Sequence, residues 1–478
     1  MNDNNDPTRL ANIHGYTYFD HEYEKLFVPD HPHCALLWSS MSNEPGGTVR
    51  PCCIATDRLR DGRGIDYNLS TTNPLEILQS EEMSRLRNQF RNYEKPAMCN
   101  TCWVDEDNGK KSKRQQYNEY YTQWYGSDSI PWIEEHPDHI RLVDLQLIFG
   151  NTCNLKCRSC NANYSSKWVE EADERKIPYW ETNAEIDMND ISRSKFWTEF
   201  DVWTRDLRRL EIMGGEPFYV KQFKTFVDQL INKNRAKDIS LSLSTNGTIA
   251  DEDFLDKIVS NFKQVSFSVS IDGINDRFEY LRHPAKWDAV KENLDLFYKL
   301  HNSDYPVTVQ ITHTVTALNV MYLPEFHDYF KEHFPNFKIW NNLAHYPKWI
   351  AVNALPEKAK NVITTALTNH EFVNKPEIVS IINHMNTPLY YDGSSVDDSL
   401  RDKFKKEKLE FFDMRNIEKK WEIFKYQIVG GDIYRQETFK ETFPELHDLI
   451  SDSFDYDSIK QEVSEKGYPH YSTRELIQ

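Results

Sequence analysis

Three cysteines, Cys153, Cys157 and Cys160, sit within the run Gly-Asn-Thr-Cys-Asn-Leu-Lys-Cys-Arg-Ser-Cys. This C-x3-C-x2-C spacing gathers three soft thiolates into one short loop. A structural zinc site needs four protein ligands, usually as two C-x2-C knuckles or Cys/His pairs, and no His or Cys follows within the next several dozen residues. Thiolates so placed suit an iron-sulfur cluster, and a four-iron cluster held by only three of them keeps one iron open to another ligand. An open iron is a place for chemistry.

Two further groups of residues have chemical potential. Downstream lies Met213-Gly214-Gly215-Glu216-Pro217. Glycine lets backbone approach a ligand closely, and Glu216 can accept a hydrogen bond from an amino group; the same residues would also make a plain strand-to-helix turn. Upstream lie the other five cysteines, Cys34, Cys52, Cys53, Cys99 and Cys102. Four of these thiolates could build a second iron-sulfur site, a zinc site or a buried thiol pair.

The elements that must position these residues show in the alternation of side chains. Leu145, Leu147 and Phe149 alternate with Asp144 and Gln146, and Ile239, Leu241 and Leu243 with Ser240, Ser242 and Ser244. Val265, Phe267, Val269 and Ile271 alternate with Ser266, Ser268 and Ser270, and Val307, Val309 and Ile311 with Thr308, Gln310 and Thr312. These are period-two strands. Between them, Phe223, Phe226, Val227, Leu230 and Ile231, or Trp287, Val290, Leu294 and Phe297, recur at helical spacing. Alternating strand and helix predicts a parallel sheet. An antiparallel sheet with one solvated face would alternate too, but would leave the helices unexplained. Small polar residues on one face of each strand predict a barrel with a wet centre and an apolar exterior covered by helices. Strand six is expected near residues 337–343. Ligands bind at the carboxyl ends of parallel strands, and the cysteine loop, Gly214 to Glu216, Thr245-Asn246-Gly247, and Ser270 with Asp272-Gly273 all fall there.

Composition narrows the class. With 478 residues, 39% hydrophobic and 28% charged, the chain has ample core for about three domains. Its apolar runs are short and its first residues polar and acidic, unlike a membrane span or a signal peptide. Eight cysteines grouped in clusters read as metal ligands rather than a disulfide framework, which suggests a reducing, cytoplasmic setting. A net charge of −18 argues against sequence-independent grip on nucleic acid. The one dense basic run, Lys110-Lys111-Ser112-Lys113-Arg114, reads as a solvated linker or helix face.

The cysteine run and the Gly-Gly-Glu stretch together resemble the radical S-adenosylmethionine (SAM) superfamily. The resemblance implies an α/β fold with a partial (β/α)6 barrel over residues 137–347. It also implies a 4Fe-4S cluster on Cys153, Cys157 and Cys160 whose open iron chelates the amino and carboxylate groups of SAM. Gly214, Gly215 and Glu216 match the family's motif at the end of the second barrel strand. By the same likeness, Thr245, Asn246, Ser270 and Asp272 would contact the ribose and methionine parts of SAM, and Arg282 would pair with the methionine carboxylate, as a guanidinium does bidentately. Turn chemistry for Asn246 and Asp272, or an ion pair for Arg282, are the plainer alternatives. Many members carry an aromatic residue just before the third cysteine; here it is Ser159.

The N-terminal cysteines, with Gly47 five positions before Cys52, resemble the opening of the SPASM accessory domain. No Cys lies between Cys102 and the barrel motif, so the shortened, one-cluster form called a twitch domain fits residues 1–136 better. Cys34, Cys52, Cys99 and Cys102 are then the expected ligands of an auxiliary 4Fe-4S cluster, with Cys53 spare. Such modules generally follow the barrel; here one precedes it. Residues 348–478 carry a helical, charged pattern, as over 403–420, expected to be a solvated face.

The family likeness implies an enzyme that cleaves SAM reductively to a 5′-deoxyadenosyl radical and abstracts hydrogen from a substrate, which in relatives with such modules is often a peptide or protein. It implies an external electron donor such as flavodoxin or ferredoxin. The auxiliary cluster would accept an electron from the substrate radical or ligate substrate. The competing classes are a non-catalytic iron-sulfur electron carrier or assembly protein and, less in keeping with the acidic charge, a zinc-bearing nucleic-acid binder.

Overall fold

A computed structural model describes residues 33–107, 111–125, 136, 139–178, 194–344, 347–372, 375–386 and 415–471. One sheet of eight strands organises them: β1 (Ser40–Asn43), β2 (Val49–Arg50), β3 (Asp144–Leu147), β4 (Arg209–Ile212), β5 (Ser240–Thr245), β6 (Gln264–Ser270), β7 (Val307–Val315) and β8 (Lys338–Leu343). Their spatial order is β2-β1-β3-β4-β5-β6-β7-β8, and every pairing except β1 with β2 is parallel.

The expected six strands are β3 to β8. Two more, β1 and β2, come from the cysteine-rich N-terminal segment, with Ser40 opposite Asp144 and Ser42 opposite Gln146. The accessory segment therefore extends the same sheet. Four residues of β1 are too few to announce themselves by alternation, and all four are buried.

Register explains the alternation. Ser242 lies opposite Ser266, which lies opposite Thr308, while Leu243, Phe267 and Val309 form the adjacent apolar row. The apolar rows meet helices α5 (Lys221–Asn232), α6 (Glu252–Asn261), α8 (Trp287–His301) and α9 (Leu323–His333). Preceding these in the chain are α1 (Glu81–Arg91), α2 (Asn100–Asp107), α3 (Lys113–Tyr125) and α4 (Ser166–Arg175); α7 is Asn275–Leu281. In α5, Phe223, Phe226, Val227 and Leu230 are buried at i, i+3, i+4 and i+7, the stripe that an amphipathic helix lays on a sheet. Ser80, Ser165 and Asp251 cap α1, α4 and α6 through side-chain oxygens that accept a first-turn N–H.

The C-terminal helices α10 (Glu357–Thr368), α11 (Pro376–Asn386), α12 (Arg415–Arg435) and α13 (Tyr456–Lys466) keep a solvated face but also bury residues, α13 only Tyr456. Ile423, Phe424, Ile428 and Val429 of α12 are buried in a second core shared with Tyr280, Leu281 and Val315. The charged run over 403–414 lies outside the described residues. Among the described residues no helix is long and apolar enough to cross a membrane.

Candidate metal centres

The cysteine loop leaves β3 and is tied down on three sides. Toward α4, Ser166 Oγ accepts from the Cys153 N–H at 3.2 Å, and Trp168 Nε1 donates to the Cys157 carbonyl at 2.6 Å. Toward the end of α7, the N–H groups of Lys156 and Arg158 donate to the carbonyls of His283 and Leu281, both at 2.8 Å. Toward β5, Asn246 Nδ2 donates to Asn154 Oδ1 and Asn154 Nδ2 to Thr248 Oγ1, both at 2.8 Å. Asn154 and Thr248 are site residues that sequence reasoning missed; amide and hydroxyl groups between cysteines carry no signal until their partners are known.

Burial pushes all three thiols up, Cys153 to about 12. After burial, Cys153 is raised most by Cys157, and Cys160 by Cys157 and Cys153. The three sulfurs thus lie in one another's field. Thiols so crowded hold their protons until a cation displaces them, which is the linkage between metal binding and proton release. Arg282 Nη1 donates to Cys157 Sγ at 3.9 Å, while its Nη2 pairs with Asp272 Oδ2 at 2.9 Å. The buried Nε of Arg282 has no hydrogen-bond partner among the described residues.

The Gly-Gly-Glu stretch has a use that the sequence reading did not give it. Gly214 and Gly215 have φ of +77° and +58°. A Cβ on Gly215 would lie 2.4 Å from the Thr152 carbonyl oxygen, and one on Gly214 2.6 Å from Ile148 Cγ2. The Glu216 N–H donates to that same Thr152 oxygen at 2.9 Å. The close approach that requires glycine is therefore to the cysteine loop. Glu216 is fully buried. Its Oε1 accepts from the Phe218 N–H at 3.1 Å and from Thr245 Oγ1 at 2.9 Å, and its Oε2 from the Asn246 N–H at 2.6 Å. A carboxylate has about four acceptor positions, so one on Oε2 remains. Burial raises its pKa to about 7 despite those hydrogen bonds.

Ser270 is half-buried at the end of β6, opposite Thr312. Asp272 is buried; its Oδ1 accepts the Thr314 N–H at 2.8 Å and its other oxygen holds Arg282. The fold thus brings Cys153, Cys157, Cys160, Gly214, Gly215, Glu216, Thr245, Asn246, Ser270, Asp272 and Arg282 to the carboxyl ends of β3 to β6.

The second group converges separately. Cys34, Cys52, Cys99 and Cys102 line one cavity with Leu36, Leu37, Phe90 and Arg114. Burial raises each thiol, Cys99 to about 12, and most feel one another: Cys34 feels Cys102 and Cys99, and Cys99 feels Cys52 and Cys102. Cys53 acts on Cys52 more strongly than any other charge does, but it is not among the thiols that line the cavity. After burial, the charges acting on it are those of Lys113, Glu211, Asp144 and Arg209.

The basic run is not the solvated face expected of it. Lys110 lies outside the described residues, and exposed Lys111 pairs with Glu119 at 2.5 Å. Arg114, however, is buried against Trp103, donating to the His33 carbonyl at 2.8 Å and to Glu106 at 2.6 Å. The Arg114 backbone and the Ser112 hydroxyl also hydrogen-bond Cys102. Ser112 Oγ accepts the Gln115 N–H at the start of α3, so a helix N-terminus and a guanidinium face the thiols, as suits negative charge.

Both cysteine sets fit a cluster. Crowded thiols, a nearby guanidinium and, at the first set, an unused Arg282 Nε complete the donor chemistry such a group needs.

The model of the radical SAM superfamily matches residues 147–333. The chain carries a radical SAM domain. An iron-sulfur cluster-binding domain of the SPASM type matches residues 34–103 and precedes it. Radical SAM domains bind a 4Fe-4S cluster and SAM, and SPASM domains bind auxiliary iron-sulfur clusters. None of the curated proteins compared with the chain matches it. Among solved structures, native anSMEcpe with bound AdoMet is 21% identical, with 47% of this chain and 58% of that one covered and a TM-score of 0.33. SuiB of Streptococcus suis bound to the precursor peptide SuiA is 11% identical, covering 60% and 58%, with a TM-score of 0.28. The chain spans less than two thirds of the length of these structures.

Proposed function

We propose that the chain is a radical SAM enzyme that modifies a peptide or protein. The observation that carries this reading is the convergence of Cys153, Cys157 and Cys160 on Arg282 at the carboxyl end of the sheet, within the matched radical SAM region. Cys153, Cys157 and Cys160 would hold the cluster. When bound, the cluster and SAM together supply one-electron reductive cleavage of the sulfonium, giving methionine and a 5′-deoxyadenosyl radical that takes a hydrogen atom from the substrate.

The chain's own residues bind and orient. Arg282, with Nη2 kept by Asp272 and Nε unused, takes the methionine carboxylate; the remaining acceptor position of Glu216 takes the amino group. Gly214 and Gly215 seat Glu216 against the cysteine loop. Thr245, Asn246 and Ser270 line the strand ends where the rest of SAM would lie. The Ser- and Thr-bearing face of β5 to β7 gives a substrate a polar wall. Cys34, Cys52, Cys99 and Cys102 would hold the auxiliary cluster, and an external donor of flavodoxin or ferredoxin type would supply the electron. A peptide or protein is the substrate class because SPASM-bearing relatives often act on one; SuiB is bound to a precursor peptide.

Anaerobic reconstitution followed by dithionite and SAM tests the reaction. The expected result is 5′-deoxyadenosine in excess of a Cys157→Ala control. No excess would leave an iron-sulfur carrier as the better reading. Incubation with candidate peptides, scored by mass shift, tests the substrate class.

A further inference from the structure

The two residues between Cys157 and Cys160 are Arg158 and Ser159, and Arg158 does not point to solvent. Its guanidinium is buried against the Tyr280 ring, 3.6 Å from the centroid, and its Nε donates to the Tyr280 carbonyl at 3.2 Å. Its Nη2 donates to Asp432 at 2.6 Å and to Glu437 at 2.7 Å. Both carboxylates belong to the end of α12 and the residues just after it, more than 270 positions away.

Each carboxylate does more than neutralise Arg158. Asp432 also accepts from Tyr280 Oη and Tyr456 Oη at 2.7 Å and from the Phe439 N–H at 2.6 Å. Glu437 Oε1 lies 2.6 Å from His283 Nδ1, the residue after Arg282. Lys156, just before Cys157, packs over the Tyr434 ring at 4.4 Å and lies 3.4 Å from Glu171, which also accepts from Arg435 at 2.8 Å.

The adjacent glycines explain how the helix comes so near. α12 runs unbroken through Gly430 and Gly431, although glycine is the most helix-averse residue short of proline. A Cβ on Gly431 would lie 2.7 Å from Arg158 Nη1; one on Gly430 would lie 2.6 Å from Arg175 Nη2 and 3.0 Å from the Tyr468 ring. Gly431 faces Arg158 of the cysteine loop directly, whereas Gly430 faces Arg175, which reaches the loop only through Glu171 and Lys156. Buried ion pairs add little net stability but can fix one geometry among several.

We infer that the end of α12 is a clamp on the cluster-binding loop, with Asp432 and Glu437 as positioning residues that hold Arg158, and through His283 the Arg282 segment, in the arrangement that receives the cluster. The inference rests on the reading that Cys153, Cys157 and Cys160 hold iron. Outer-shell partners of metal ligands typically affect metal affinity by roughly 10- to 100-fold, and the clamp acts one step further out, through Arg158 and the loop backbone, so the lower end of that range is expected.

The test uses the full chain, reconstituted anaerobically, as wild type, Gly431→Ala, Glu437→Gln and Gly430→Ala. Iron and sulfide content, retention of iron against a chelator, cluster reduction potential and thermal melting are read for each. Gly431→Ala and Glu437→Gln should retain iron at one of the two sites roughly tenfold less well, with a shifted potential for what remains, while Gly430→Ala keeps both sites. The N-terminal cluster is the internal control for folding. Iron retention and potential equal to wild type in both clamp variants would overturn the inference, as would equal losses in all three. Wild-type protein that binds iron at the N-terminal set alone would instead overturn the reading of Cys153, Cys157 and Cys160.

Discussion

Glu216 Oε2 accepts the Asn246 backbone N–H at 2.6 Å, joining the end of β4 to the end of β5 beneath the cysteine loop. The carboxylate is desolvated, and its pKa rises from 4.5 to about 7. A raised folded-state pKa means that the native chain holds the proton more tightly than the unfolded one. Its contribution is fully present below pH 4.5 and is lost as pH rises through about 7. Melting temperatures followed from pH 5 to 8 should fall more steeply for wild type than for Glu216→Gln, whose side chain cannot titrate. The amide in turn must place an N–H against donors it cannot pair with, at a cost of about 1–3 kcal/mol. Parallel pH profiles for the two proteins would contradict this.

Arg282 and Asp272 form a buried pair at 2.9 Å. Arg282→Ala leaves the Asp272 carboxylate buried without its cation, a change that costs about 3–5 kcal/mol. Adding Asp272→Asn should restore part of the loss in a melt of the double variant. Additive losses would show that the two side chains do not act as a pair.

Gly215 meets the Thr152 oxygen in a left-handed conformation. Gly215→Ala should cost at least about 1–2 kcal/mol from backbone conformation alone, and should lower iron bound by the barrel cysteines because the loop must move. Gly62→Ala, where no atom lies within 4 Å, is the matched control. Equal melting temperature and iron content for the two variants would refute the packing argument.

Cys99 and Cys53 should behave differently when replaced. Cys99 shares a cavity with Cys34, Cys52 and Cys102, whereas Cys53 faces Lys113, Asp144, Arg209 and Glu211. Cys99→Ala should lose the iron of the N-terminal set, and Cys53→Ala should keep it. Iron analysis of the two single variants decides the matter; loss in both would make Cys53 a ligand.

Much of this architecture was legible in the chain because its signals are local. Three thiolates in C-x3-C-x2-C must share a loop whatever surrounds them. The alternation of Leu241 and Leu243 with Ser240, Ser242 and Ser244 reports directly on the two faces of β5, since strand side chains point to opposite sides in turn. Local patterns of this kind survive without knowledge of any partner.

Three features depended on partners far away in sequence. Ser40–Asn43 became β1 by pairing with β3 across an intervening hundred residues. Arg114 looked like one charge in a solvated run until Glu106, Trp103 and the His33 carbonyl enclosed it. Gly430-Gly431 drew no attention in the sequence, and only the folded chain lays Arg158 and Arg175 against it. Spacing along the chain determined which thiolates act together and which strand faces are polar, because both follow from backbone geometry within a few residues. Tertiary structure alone decided which charges are buried and which helix reaches the cysteine loop, because desolvation and close approach are properties of the neighbours that folding supplies.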